Sequence, residues 1–169
     1  MNKESKTNSS KDLKAELLKC CGNEKWADEM IVFVPFGSAE EIEDTAEKIW
    51  SKLGKEDKLE SFGHHPKIGG LESLKKKYSL SGEMSKQEQS GIQNASETTI
   101  KELAKYNEDY EKKFGYVFLV CATGKSADEM LGLLKTRINN DPETEFRIAG
   151  NELIKIAKLR LNRITEKLL

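Results

Sequence analysis

The apolar side chains of this chain recur mostly at intervals of three and four residues, which is the spacing of one face of an α-helix. The first clear run comprises Ile42, Ala46, Ile49, Trp50 and Leu53. Ser38 and Glu41 have the spacing of a capping box before this run, and Gly54 follows it as a stop signal. The pattern therefore predicts a helix bounded by these residues.

Three more segments show helical spacing. One run ends at Gly115 and comprises Ile100, Leu103, Asn107, Tyr110 and Phe114. Another follows a capping box at Ser126 and Glu129, and comprises Met130, Leu133, Leu134, Arg137 and Ile138. A last long helix is predicted from Pro142 to Leu168. We therefore predict an all-α fold, a single-domain bundle of about seven to nine helices.

A continuous apolar run over residues 116–122 departs from this spacing. Its β-branched and aromatic residues would by themselves favour a buried strand. No second strand is evident to pair with it, so we expect a buried extended or irregular segment. The backbone N–H and C=O groups of such a segment need partners from elsewhere. A bound heterocycle could be one such partner.

Composition limits the class of protein. The chain has 169 residues, which predicts one domain over residues 11–169 behind a polar, disordered tail over residues 1–10. With 28 basic and 29 acidic residues, the net charge of −1 gives no reason to expect nucleic acid or a membrane as a partner. The longest apolar runs, about seven residues, are far shorter than a membrane span.

The predicted compartment is the cytoplasm. Residues 1–10 lack the apolar stretch of a secretory signal, and the three cysteines form neither a disulfide framework nor a metal-ligand pattern. The final Lys167-Leu168-Leu169 is not the Ser-Lys-Leu peroxisomal signal, although its similarity keeps the peroxisome as an alternative.

Two short segments carry candidate chemistry. His64, His65 and Pro66 lie between glycines, and an imidazole held beside a proline suits proton transfer; a loop histidine that faces solvent or bonds its own backbone is the alternative. Ser85 and Glu88 would share one side of a helix with Gln89, although they also fit a plain capping box. No spacing typical of a metal site is present, and no metal is predicted.

In this order, His65-Pro66-x-Ile68-Gly69, Ser85-x-x-Glu88-Gln89, the apolar run and the closing residues 155–161 resemble the 2-oxo-4-hydroxy-4-carboxy-5-ureidoimidazoline (OHCU) decarboxylases. The resemblance extends from about residue 10 to the C-terminus. It implies cofactor-independent decarboxylation of OHCU to (S)-allantoin in urate degradation, by a homodimer.

The resemblance also implies the site. His65 and Glu88 would be catalytic. The substrate-binding residues would be Pro66, Ser85, Lys86, Gln87, Glu88, Gln89, Phe118, Leu119, Val120, Cys121 and Ala122. In this resemblance, many relatives carry arginine where this chain has Thr123, so the substrate carboxylate would need another donor. Arg137 and Arg160 occupy or border apolar helix faces. We interpret both as structural residues, and contact with the substrate is the alternative.

Two other functions remain open from the sequence. One is a helical binding or assembly module without catalysis, in which the His-Pro loop is only a turn and Ser85 only a cap. The other is a hydrolase or lyase that acts on a different ureido compound with the same acid/base pair.

Overall fold

The computed structural model describes residues 3–67 and 97–169. Within these ranges it has eight helices and no strand, so the predicted all-α fold is confirmed there. The helices are α1 (Lys3–Cys21), α2 (Glu24–Ile31), α3 (Ala39–Lys52), α4 (Lys55–Gly63), α5 (Glu97–Phe114), α6 (Ala127–Arg137), α7 (Pro142–Asn162) and α8 (Thr165–Leu168). None of the described helices is both long and apolar enough to cross a bilayer.

The chain forms two compact units. The first unit comprises Met1–His64 with Gly150–Leu169, and the second unit comprises His65–Ala149. The single domain over residues 11–169 stays a prediction. So does the disordered tail over residues 1–10, although helix α1 begins at Lys3 within that segment.

The first unit is built on helix α2, which contacts both α1 and α3. Trp26 of α2 is completely buried, and its indole Nε1–H donates to the Ala46 carbonyl of α3 at 3.1 Å. Asn23 caps α2 by accepting from the Trp26 N–H at 2.8 Å, while its Nδ2 donates to Glu60 of α4 at 2.7 Å. One buried amide therefore ties the start of α2 to α4.

Helix α3 confirms the first predicted helix. The Ser38 hydroxyl accepts from the Glu41 N–H at 3.1 Å, as a cap should, and Leu53 ends the helix. The Glu41 carboxylate accepts from the Gly37 N–H at 2.7 Å. The predicted capping box is therefore correct in its serine half, while the glutamate bonds the residue before the cap.

The predicted helix from Pro142 to Leu168 is wrong at its end, because α7 stops at Asn162 and a separate short helix follows. The Arg163 and Ile164 N–H groups bond carbonyls three residues back, and the Thr165 hydroxyl donates to the Leu161 carbonyl at 3.2 Å. Leu168 is completely buried, and its carbonyl accepts from the Phe36 N–H at 2.8 Å. These tertiary contacts redirect the chain without a glycine or proline.

The second unit is built on α5 and α6, which pack against each other. Gly115 ends α5 in the left-handed conformation that glycine adopts readily, with φ of 82°. Buried side chains from both helices and the following loop form its core, namely Leu103, Tyr110, Phe118, Val120, Ala127, Met130, Leu131 and Leu134. Leu133, predicted in this face, is 37% exposed, whereas Leu131 is buried.

Ser126 begins α6 with a complete capping box. Its hydroxyl accepts from the Glu129 N–H at 3.1 Å, and the Glu129 carboxylate accepts from the Ser126 N–H at 2.8 Å. We expect Ser126→Ala to lower the free energy of unfolding by about 1 kcal/mol, because a helix N–H loses its acceptor. Urea unfolding measures this change. Ser126→Asp keeps an acceptor and serves as the control, and an equal loss in both variants would contradict the capping role.

Candidate active site

The two histidines differ sharply in exposure. His64 forms the C-terminal cap of α4, with its N–H directed to the Ser61 carbonyl at 3.2 Å, and its side chain is exposed. His65 is buried, with 9% of its surface exposed, and Pro66 after it is half-buried. Only the imidazole that directly precedes the proline is therefore sequestered from bulk water.

Lys67 connects the His-Pro loop to helix α5. Its ammonium lies 2.5 Å from the Glu111 carboxylate, and both side chains are partly exposed. An ion pair with this exposure contributes at most about 1 kcal/mol to stability. The ion pair matters for the site's geometry, because it attaches Lys67, two residues after His65, to helix α5.

Residues 118–122 have no regular secondary structure, and we call them the 118–122 segment. This confirms the irregular segment that the sequence predicts over residues 116–122. Phe118, Leu119 and Val120 are buried, whereas Cys121 and Ala122 are half-buried. The Phe118 ring packs edge-on against Tyr110 of α5, with 5.3 Å between ring centroids.

Helix α5 therefore holds two parts of the predicted site through neighbouring residues. Tyr110 contacts Phe118, and Glu111 contacts Lys67. Consecutive residues of an α-helix are about 100° apart around its axis and rise only about 1.5 Å. Within the second unit, the His-Pro loop and the 118–122 segment are thus anchored to adjoining sides of one helical turn.

A buried polar network lies behind the 118–122 segment. Arg137 is ion-paired with the completely buried Glu145, at 2.5 Å between Nη2 and Oε1. This supports the structural interpretation of Arg137. The other arginine singled out, Arg160, donates from Nη1 to the Lys19 carbonyl at 3.2 Å within the first unit.

Two phenols near this network stay protonated at neutral pH. Burial is the main cause that raises the pKa of Tyr110, and its hydrogen bond to Glu145 adds to the effect. Burial also raises the pKa of Tyr116 to about 12. Neither hydroxyl is therefore suited to exchange protons near pH 7, whereas imidazole and carboxyl groups are.

The turn after the 118–122 segment brings in a cation that the sequence analysis did not single out. Lys125 donates from Nζ to the Cys121 carbonyl at 2.9 Å, and its N–H donates to the Ala122 carbonyl at 3.0 Å. Gly124 allows this turn with φ of 75°. Thr123 is exposed and lines a groove of about 550 Å³ together with Lys125.

Several predicted site residues lie outside the described residues. They are Ser85, Lys86, Gln87, Glu88 and Gln89. Their roles, including the pairing of Glu88 with His65, stay predictions. Residues missed by the sequence analysis are Glu145 and Lys125, because a glutamate near the start of a helix and a lysine in a turn are usually solvated charges.

The cysteines differ in expected reactivity. Burial raises the pKa of both Cys20 and Cys21 to about 12, which keeps their thiols protonated near pH 7, and the thiolate is the reactive form. We expect N-ethylmaleimide to modify the half-buried Cys121 first, with Cys20 and Cys21 reacting only after unfolding. Peptide mass spectrometry measures the order. Equal rates in the folded protein would contradict this, and urea-unfolded protein is the control.

Fold and site together define an all-α protein in which the loop after a buried histidine and an irregular apolar segment both contact one helix. The chain belongs to the OHCU decarboxylase family, whose sequence model matches residues 6–162. The chain is also similar to the crystal structure of an OHCU decarboxylase in the presence of (S)-allantoin. That similarity has a TM-score of 0.75 and 35% identity, and covers 89% of this chain and 97% of the other.

Curated relatives agree with this family. The uric acid degradation bifunctional protein TTL of Arabidopsis thaliana is 36% identical over 146 residues, covering 86% of this chain. The OHCU decarboxylase of Haloferax volcanii is 24% identical over 127 residues, covering 75% of this chain and 73% of the relative. The chain spans 45% of the Arabidopsis protein and 26% of the bifunctional protein PucL of Bacillus subtilis.

Proposed function

We propose that this chain decarboxylates OHCU to (S)-allantoin in urate degradation, with His65 and Glu88 as its catalytic residues. The observation that carries the proposal is the match over 97% of a solved OHCU decarboxylase, together with a buried His65 in the motif that suggested this chemistry. The crystal structure of that relative was determined in the presence of (S)-allantoin, the product proposed here.

The substrate itself supplies the driving chemistry. Its ring carbon 4 bears both the carboxylate and a hydroxyl, and a ring C=N lies next to it. When the bond to the carboxylate breaks, CO2 leaves and the electron pair forms a double bond to the ureido-bearing carbon. The ring nitrogen of the C=N receives the displaced electrons and takes up a proton. A proton is then added at the ureido-bearing carbon, and the hydroxyl loses its proton to become the carbonyl of allantoin. The substrate therefore carries its own electron sink, and the protein must orient it and place protons.

His65 suits the exchange of the hydroxyl proton. An imidazole changes charge near neutral pH, and its burial limits competition from bulk water. Glu88 would polarise the adjoining groups and direct protonation to one face of the ring, which gives one allantoin enantiomer. Pro66 and the residues Ser85, Lys86, Gln87 and Gln89 would hold the ring through packing and hydrogen bonds.

The 118–122 segment is the proposed backbone wall of the substrate site. Val120 is buried with Phe118 and Leu119, while Cys121 and Ala122 retain some exposure, so the segment passes from the core towards solvent. A backbone without helix or sheet hydrogen bonding is suited to bond the carbonyl and N–H groups of a heterocycle. Substrate packed against this segment would approach a chain already fixed to α5.

The proposal is tested by forming OHCU in the cuvette with urate oxidase and the hydrolase that acts between urate oxidase and this step. This protein is then added. We expect faster circular-dichroism growth of one allantoin enantiomer and release of CO2. Release of urea or ammonia instead would favour a hydrolase or lyase for another ureido compound. If OHCU still decays spontaneously to racemic allantoin at the same rate after the protein is added, the chain is not this enzyme. The non-catalytic binding or assembly module would then be favoured.

We also propose that the protein acts as a cytoplasmic homodimer. The three cysteines are all free, which is compatible with a reducing compartment. The dimer is suggested by family resemblance. Sedimentation velocity measures its mass, and a monomer over the concentrations used in the assay would contradict the dimer.

A further inference from the structure

Arg137 makes three directed contacts at the end of helix α6. Its Nε and Nη2 donate to Glu145 Oε1 at 2.9 and 2.5 Å, and its Nη1 donates to the Leu119 carbonyl at 2.6 Å. The guanidinium carbon also lies 4.6 Å from the centroid of the Phe118 ring. One buried side chain therefore contacts two consecutive residues of the 118–122 segment.

Glu145 fixes the direction in which this guanidinium points. The carboxylate is completely buried and also accepts from the Tyr110 hydroxyl and from Asn140 Nδ2, the latter at 2.9 Å. Because the guanidinium is planar, two nitrogens held by Glu145 determine where the third one lies. The third nitrogen is the donor to Leu119. The contact with Leu119 is thus set by groups of α5, α7 and the α6–α7 loop.

The 118–122 segment needs such an external support. Helices and sheets fix their carbonyls through their own hydrogen bonds, but this segment has neither in the structure. Arg137 holds the carbonyl of Leu119, and Lys125 holds that of Cys121. The Arg137 contact is the more restrictive, because its side chain is buried and bonded at three nitrogens.

We propose that Arg137, oriented by Glu145, is a positioning residue that sets the 118–122 segment for substrate binding. This inference rests on the proposed decarboxylase function, in which that segment contacts OHCU. Arg137 acts through Leu119 and Phe118 and takes no part in proton transfer. Lysine cannot replace it, because a lysine side chain has a single nitrogen. That nitrogen cannot reproduce the two bonds to Glu145 Oε1 and the bond to the Leu119 carbonyl in the geometry of the planar guanidinium.

The first test is Arg137→Lys, which keeps the buried positive charge and removes the planar fork. We expect kcat/KM for OHCU to fall about 10- to 100-fold, mainly through KM, because a misplaced wall misorients the substrate. The pH dependence of kcat should keep its shape, since His65 and Glu88 are unchanged. Amide hydrogen exchange at residues 117–122 should become faster. Wild-type kcat/KM together with unchanged exchange would overturn the inference.

A second variant separates positioning from folding. Arg137→Met with Glu145→Met removes both charges, so that neither is left buried alone. If folded by circular dichroism, this variant should show the same rise in KM; a folded variant with wild-type KM would overturn the inference. Thr99→Val is the matched control, since it removes a polar contact between α5 and α6 at Asp128 and should leave KM unchanged. An inactive wild-type protein would reject the proposed function itself, whereas an active wild type with unaffected variants rejects only the positioning role.

Discussion

Replacement of His65 by asparagine is expected to lower kcat for OHCU by about 10²- to 10⁴-fold, the range typical of a lost general acid/base. Asparagine keeps hydrogen-bonding ability at this buried position but cannot exchange a proton near pH 7. The spontaneous reaction continues, so the remaining product should lose its enantiomeric excess. The measurement is the circular-dichroism assay with substrate formed in the cuvette.

His64→Asn is the matched control, because the neighbouring imidazole is exposed and has no assigned role in the chemistry. We expect it to retain the wild-type rate. Glu88→Gln should lose both rate and enantioselectivity, since the amide cannot carry the carboxylate charge. If His65→Asn or Glu88→Gln kept near-normal enantioselective turnover, the assigned acid/base pair would be wrong.

Glu145→Ala is expected to destabilise the protein by about 3–5 kcal/mol, the largest stability effect anticipated from a single polar substitution here. Removal of the carboxylate leaves the Arg137 cation buried without its partner. It also deprives the Tyr110 hydroxyl and the Asn140 amide of their acceptor. Urea unfolding at neutral pH, followed by circular dichroism, measures the loss.

The double substitution by methionine at Arg137 and Glu145 provides the comparison. It removes the unpaired charge, so it should unfold at a higher urea concentration than Glu145→Ala. Glu129→Ala serves as an exposed control, because its carboxylate contributes only a helix-cap bond. A loss of less than about 1 kcal/mol for Glu145→Ala would contradict this prediction, because it would show that Arg137 is not left as an uncompensated buried charge.

Short-range patterns predicted α3, α5, α6 and the beginning of α7. The spacing of Ile42, Ala46 and Ile49 marks the buried face of α3, and Gly115 marks the end of α5. The cap at Ser126 was also predictable, because its partner is only three residues away. Helix spacing and caps depend on residues within about one turn, so a single sequence contains the necessary information.

Local patterns failed where contacts between residues distant in the chain determine where a helix ends or which side chain is buried. The helix predicted to reach Leu168 breaks after Asn162, since Leu168 is buried and its carbonyl bonds Phe36. The burial of Leu131 in place of Leu133 depends on how α6 packs against α5. Neither outcome is visible in local spacing, because the partner residues lie far away in the chain.

The sequence by itself determined the helical character of the chain, its main helix caps, the irregular apolar segment and the motifs of the OHCU decarboxylase family. Only the tertiary structure decided that His65 is buried while His64 is exposed, and that Arg137 joins Glu145 to Leu119. The physical reason is the distance along the chain between the residues that interact. Periodicity and capping are local properties, whereas the burial of a charge requires partners from several helices, and their meeting is specified only when the chain has folded.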